Sequence, residues 1–207
     1  MIDEYSADGT GWARFSDDRQ MRYRLARRLT DRPGAALCFM NLTEAASFRV
    51  SDPIESEAKR YVFLMLNPST ADAFVLDPTV KRCVAFATSW GADVLEVVNI
   101  FALRSTDPRE LYKRAFTFRG DDQVANDQII LACRGAHRVI AGWGRHGALD
   151  HRGNIVRSML AEHGIALYHL GLNKDGSPKH PLYIEGGTAP QEWNVDVQHA
   201  AFPGVIK

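Results

Sequence analysis

The chain is short of cysteine. Its 207 residues hold three, Cys38, Cys83 and Cys133, far apart and beside apolar neighbours. No Cys-x-x-Cys pair occurs, which argues against a zinc cage or a disulfide framework. The three read as small buried hydrophobes of a reducing compartment, and the expected location is cytoplasmic. Long apolar runs are missing too. Tyr61 to Leu66 is the longest strongly apolar stretch, with six residues, whereas ~20 are needed to cross a bilayer. No membrane partner is expected. The acidic, polar start MIDEYSADGT lacks the basic-then-apolar order of a secretory signal. Net charge is also absent, because 25 basic and 25 acidic residues cancel. That balance argues against a protein whose affinity rests on coating a long polyanion. Several motifs of known chemistry are missing: no Gly-Lys-Ser/Thr, no Gly-x-Ser-x-Gly, no His-Glu-x-x-His. No cofactor and no metal site are implied, although Asp72, Asp77 and Asp127 would be the carboxylates to hold a metal.

What is present fits a single α/β domain over residues 1–207, with residues 1–20 as a loosely ordered extension. From Tyr61 onward the sequence alternates strand and helix. Tyr61–Leu66, Val94–Val98, His137–Ala141 and Ile165–Leu170 are apolar runs of strand length. Asp77-Pro78 predicts a helix start that stops at Trp90-Gly91. Further helices are expected from about Asp122 to Cys133 and from Leu149 to His163. Alternation of this kind predicts right-handed crossovers, and hence a central, mainly parallel four-stranded sheet flanked by helices in a three-layer sandwich. The first sixty residues are less regular. Met21–Leu29 reads as a helix or part of a hairpin, and Ala36–Leu42 as a strand.

Ligands of such sheets bind outside the carboxyl ends of the strands. Each expected strand end is polar or rich in Gly and Pro. Asn67-Pro68-Ser69-Thr70 follows the first strand, with Asp72 close behind. Proline forces the turn, and the Asn67 amide can donate and accept. Asn99 ends the second strand, and Arg104 and Asp107-Pro108 follow it. Two amides on neighbouring strand ends suit the mixed donor and acceptor edge of a nucleobase. Gly142-Trp143-Gly144-Arg145-His146-Gly147 closes the third strand. Trp143 could stack on a flat ligand there, and Gly144 would admit close backbone approach. It does not read as a dinucleotide loop, since it does not follow the first strand. Arg145, His146 and Arg152 are candidates for phosphate contact. His180-Pro181 follows the fourth strand, where a histidine on a rigid loop can donate to developing negative charge. Two arginine clusters, Arg22 to Arg32 and Arg138 to Arg157, read either as solvated faces or as a local anion-binding face.

Several strings together carry a resemblance: Leu66-Asn-Pro-Ser-Thr-Ala-Asp72, Asp77-Pro-Thr79, Trp90-Gly91, Glu96-Val-Val-Asn-Ile-Phe-Ala-Leu-Arg104, Thr106-Asp-Pro108, Asn126-Asp127, Trp143-Gly144, His146-Gly147 and His180-Pro-Leu-Tyr183. Over roughly Arg22 to Ile184 the chain resembles the bacterial family called domain of unknown function 1643, which is assigned no reaction. More distantly it is similar to the uracil-DNA glycosylase superfamily. There Leu66-Asn67-Pro68 matches the centre of a first motif, Val98-Asn99 a base-reading Asn, and His180-Pro181 a late His-Pro motif. Ser69 stands where that superfamily has glycine, and Leu182-Tyr183 stand where it has Ser-Pro. The likeness implies a glycosylase-like fold and N-glycosidic hydrolysis. Asn67 would orient water, with Asp72 or Asp77 as alternative helpers, and His180 would stabilise the departing base. Pro68, Ser69, Asp77, Asn99, Arg104, Trp143, Gly144, His146 and Arg152 would form the substrate site. The expected partner is a nucleobase-containing ligand, either nucleotide or nucleic acid. Two alternatives stand beside this: a non-catalytic nucleotide or nucleic-acid binding module, and a metal-assisted hydrolase or transferase of a phosphorylated small molecule.

Overall fold

The computed structural model describes residues 1–44, 58–114 and 119–194. Residues 115–118, part of the polar stretch between Arg104 and Gly120, lie outside the described residues. Eight strands form one mixed sheet: β1 (Ile2–Tyr5), β2 (Gly11–Phe15), β3 (Arg22–Arg28), β4 (Arg60–Met65), β5 (Val94–Asn99), β6 (Arg138–Ala141), β7 (Leu167–His169) and β8 (Gln191–Glu192). Five α-helices accompany them among the described residues: α1 (Pro33–Glu44), α2 (Pro78–Ser89), α3 (Glu110–Lys113), α4 (Gln123–Cys133) and α5 (Arg152–Glu162). Short 3-10 turns span Arg145–His151 and Pro181–Tyr183. No helix among the described residues is long and apolar enough to cross a membrane.

The strand order is β1-β2-β3-β5-β4-β6-β7-β8. The pairs β5–β4, β4–β6 and β6–β7 are parallel. The pairs β1–β2, β2–β3, β3–β5 and β7–β8 are antiparallel. This corrects the expectation of a glycosylase-like sandwich around a four-stranded, mainly parallel sheet: the sheet is twice as wide and mixed. The reason is local. β1 to β3 form an antiparallel meander that continues the sheet beyond β5. Residues 1–20, expected as a loose extension, supply two of its strands. Arg22 and Arg24 are buried there, so the alternation of apolar and polar residues that marks a half-buried strand is lost. β8 is two polar residues long and carries no periodicity.

A second correction concerns Ala36–Leu42, which is helical. Pro33 occupies the first helical turn, where its missing N–H is harmless. Ala35, Cys38, Phe39 and Leu42 are buried at helical spacing, while Leu37 and Met40 are each 53% exposed. Those two exposed apolar residues fill the gaps and make a helical stripe look like a strand-like run. Elsewhere the start and stop signals act as physical chemistry dictates. Asp77 caps α2 by accepting from the Val80 N–H at 2.8 Å, and Asp122 caps α4 through the Ala125 N–H at 2.9 Å.

Both faces of the sheet are covered. α2 packs Val80, Cys83 and Phe86 onto Phe63, Leu95 and Ile140. α4 and α5 pack Ile129, Val156 and Leu160 onto Val62, Leu64 and Val98 on the opposite face. α1 covers Trp12, Ala26 and Val94. The helices therefore leave the carboxyl ends of β4, β5 and β6 open at one end of the sheet, as crossover geometry requires.

Candidate functional site

A cleft of about 670 Å³ opens over those strand ends. Met65 lines it at the end of β4, Leu66, Asn67 and Ser69 just after it, and Val97 and Asn99 at the end of β5. The start of α2 supplies Asp77, Thr79 and Val80. Ser105, Thr106 and Pro108 form one wall, and Trp143 to His146 another. Asn173, Lys179, His180, Leu182 and Tyr183 close the third side, and Arg22 reaches in from β3. Asn67, Ser69, Asp77, Asn99, Trp143, Gly144, His146 and His180 thus lie together, as residues distant in sequence that share one cleft. Pro68, Asp72, Arg104 and Arg152 are not among the lining.

Those four have other work. The Pro68 carbonyl accepts from the Ser105 N–H at 2.8 Å and shapes the loop after β4. Asp72 Oδ1 accepts from the N–H groups of Phe74 and Val75, both at 2.8 Å, in a tight side-chain turn. Arg104 lies over the Phe15 ring, 5.1 Å from its centroid. Arg152 is buried, donating from Nε to the Ile100 carbonyl and from Nη2 to Asn126 Oδ1, both at 2.7 Å. It ties α5 to β5 and α4, and burial pulls its pKa down to about 10.

The inward bonds of the cleft residues fix what each shows outward. Asn67 Nδ2 donates to the carbonyls of Ser105 at 2.9 Å and Pro68 at 3.2 Å. Carbonyls only accept, so the amide cannot be flipped, and Oδ1 is left without a partner among the described residues. Asn99 is set the other way. Its Oδ1 accepts from Arg22 Nη2 at 3.3 Å, leaving Nδ2 without a partner among the described residues. His180 Nδ1 accepts from the Leu182 N–H at 3.3 Å. A backbone N–H can only donate, so the neutral ring carries its proton on Nε2. These three side chains therefore offer one acceptor, Asn67 Oδ1, and two donors, Asn99 Nδ2–H and His180 Nε2–H.

Two contacts seat His180. A Cβ added at Gly142 would stand 2.9 Å from Pro181 Cδ, so the end of β6 approaches the His180 loop as only glycine allows. Arg82 of α2 donates to the Ile184 carbonyl just beyond it. Burial pushes the His180 pKa below the ordinary histidine value of 6.5. His137 and His169 shift the same way for the same reason. Between its folded and unfolded pKa each histidine binds more protons unfolded than folded, so stability rises with pH there. We expect the melting temperature to be on a plateau above pH 6.5 and to fall as pH drops below it. His180→Gln should lessen that slope, and a flat profile from pH 7.5 to 5.5 would contradict it.

Arg22 is the lining residue that sequence reasoning missed as an individual. It is 2% exposed, donates to the Ala71 carbonyl at 2.7 Å, and has no partner on Nε. No carboxylate among the described residues bonds it, and burial draws its pKa down to about 10. Thr79 and Tyr183 were not singled out as site residues either. Tyr183 is 84% exposed, with its ring 5.8 Å from that of His180. Trp143 was expected to stack on a ligand, yet its side chain is 3% exposed. Trp193 lies 5.6 Å from it, and Gly147 and Gly153 lie against its ring.

The spacing Gly142-x-Gly144-x-x-Gly147 is that of a dinucleotide loop, but Gly142 packs on Pro181, Gly147 packs on Trp143, and Gly144 supplies a positive φ of 68°. No α-helix opens directly on it. The following 3-10 turn is broken at Leu149 and Asp150 before α5 begins. Among the described residues no three His, Cys, Asp or Glu side chains come together as a metal-holding group.

The family described as protein of unknown function (DUF1643) matches residues 48–182. That stretch runs from before β4 to the His180 loop and leaves out β1 to β3 with Arg22. No curated protein and no solved structure matches the chain, so the likeness to uracil-DNA glycosylases gains no support from these comparisons. With well over half of its length matched, the chain belongs to the DUF1643 family.

Proposed function

We propose that the cleft recognises a nucleobase-containing, negatively charged ligand, a nucleotide or nucleic-acid strand, and hydrolyses its N-glycosidic bond. One observation carries this reading. Three side chains from three separate segments, Asn67, Asn99 and His180, are each held by an inward bond that presents a fixed outward atom. Fixed acceptors and donors side by side are what a planar heterocycle with its own donors and acceptors requires. A ligand edge with acceptors toward Asn99 and His180 and a donor toward Asn67 fits best. The exposed Tyr183 ring beside His180 is the available stacking surface.

Charge supports a phosphate-bearing ligand. Arg22, Arg145 and Lys179 line the cleft against a single carboxylate, Asp77. Three cations less Asp77, and less Asp175 which pairs with Arg145 at 3.7 Å, leave +1 in a chain whose net charge is zero. A cleft of one sign steers ligands of the other.

Thermal shift with nucleosides, nucleotides and short oligonucleotides tests the binding. A ligand at ~100 times its dissociation constant adds about 2.7 kcal/mol of stability. Asn99→Ala should weaken binding by about 1–3 kcal/mol, the loss expected when a ligand acceptor is left unpaired. If inorganic phosphate alone stabilises the protein as much as any nucleotide does, base recognition is wrong.

A further inference from the structure

We propose that Asp77 accepts the proton of the attacking water in this cleft. The inference rests on the hydrolytic reading above and adds the group that reading lacks. Hydrolysis needs a base, and the amides of Asn67 and Asn99 cannot take a proton. His180 is turned the wrong way, since Nδ1 is held by the Leu182 N–H and Nε2 carries the hydrogen. His146 sits at the rim with Nδ1 against the Tyr112 hydroxyl at 3.0 Å. Asp77 is the single carboxylate among the described residues that line the cleft.

Its geometry suits the task. Oδ1 is fixed by the Val80 N–H at the start of α2, and Pro78 follows immediately and stiffens the backbone. Oδ2 has no partner among the described residues. Arg22 and His180 both lie within electrostatic reach of this carboxylate. One oxygen thus anchors the side chain while the other is left for the cleft.

The step balances as follows. The oxygen of a water held by Asn67 Oδ1 bonds to the anomeric carbon of the sugar. The carbon–nitrogen bond breaks and its electron pair leaves with the base, whose negative charge the His180 Nε2–H stabilises by donating a hydrogen bond. Asp77 Oδ2 takes the proton of the water and afterwards releases it to solvent or to the departed base. The products are a sugar bearing a hydroxyl group and a free base.

The test uses the full chain and two variants that keep the helix cap but remove the base, Asp77→Asn and Asp77→Ser. Asparagine and serine cap about as well as aspartate, so melting temperature should hold. The probes are nucleosides, nucleoside monophosphates and short single- and double-stranded oligonucleotides, read by release of free base and by binding. Both variants should bind at least as tightly as the parent, since a negative charge leaves the cleft, while turnover falls roughly 100- to 10,000-fold. If the Asp77 variants retain turnover, the proton goes elsewhere and the assignment is overturned, with base recognition intact. If the parent binds the probes but releases no base, the hydrolytic reading and the role of Asp77 fall together and recognition alone stands. If nothing binds, the proposed function itself is wrong.

Discussion

Replacing Glu96 with glutamine is expected to destabilise the fold by about 3–5 kcal/mol, the usual loss when one partner of a buried ion pair is removed. Glu96 is fully buried between two arginines that are each 1% exposed. Its Oε1 accepts from Arg24 Nε at 2.5 Å and its Oε2 from Arg60 Nη1 at 2.8 Å. One carboxylate serves two guanidinium groups, so the variant leaves two buried cations with no anion. A domain whose whole stability is about 5–15 kcal/mol loses a large share of it. The two arginines differ in their other support. Arg60 also donates to the carbonyls of Ala132 and Arg134, where the end of α4 concentrates unpaired carbonyls and partial negative charge. Arg24 has the Trp12 ring 5.1 Å from its guanidinium carbon, while its Nη1 has no partner among the described residues. Arg24→Met should therefore be milder than Arg60→Met, which also strips the α4 terminus. Urea titration of the four proteins measures both points. A Glu96→Gln loss below about 1 kcal/mol would mean that water or relaxation screens the triad, since exposed pairs are worth no more than that.

The same triad shows why the first sixty residues resisted reading. Arginine on a strand looks like a solvated position. Arg22, Arg24 and Arg27 of β3 instead find Glu96 and the backbone carbonyls of Ala71, Asp72 and Ala73, partners separated by many residues in sequence. The crossover region was legible for the opposite reason. β4, β5 and β6 are covered on both faces and read as continuous apolar runs, so their ends are visible as the places where polarity begins. Asn67 and Asn99 sit at such ends, and the loop of His180 returns to the same place, which is why residues far apart in sequence meet in one cleft. Arg22 carried no such mark. It comes into place through the antiparallel register that sets Arg24 opposite Val98 and through the bond from its own N–H to the Ala102 carbonyl. Neither register nor that bond leaves a local pattern. The helix expected from Leu149 begins instead at Arg152, because Leu149 and Asp150 leave helical geometry and Asp150 and His151 take positive φ. Single residues in the left-handed region are set by surrounding packing rather than by their own propensity.

Trp143 brings the limits of motif reading to a test of large expected effect. A tryptophan between glycines at a strand end suggests an open ring ready to stack on a ligand. The packing instead seats the ring against two other glycines, Gly147 and Gly153. A Cβ on Gly147 would lie 2.1 Å from Trp143 Cδ1, and one on Gly153 would lie 2.8 Å from Nε1. The ring has little room to withdraw, since Trp193 packs beside it and Arg157 lies over Trp193 at 4.3 Å. Gly147→Ala should therefore destabilise by about 1–3 kcal/mol, the range for one carbon too many in a filled core. Its effect should reach the cleft as well, because Gly144, Arg145 and His146 join the two ends of that contact. Trp143→Phe alone opens a gap and should also destabilise. In the double variant the smaller ring gives the new methyl space, so the pair should lose less than the sum of the singles. A double-mutant cycle by chemical denaturation reads that coupling, expected at about 0.5–3 kcal/mol for residues in contact. If Gly147→Ala is as stable as the parent and the cycle shows no coupling, the ring moves freely. Trp143 would then return as a candidate to stack on the ligand.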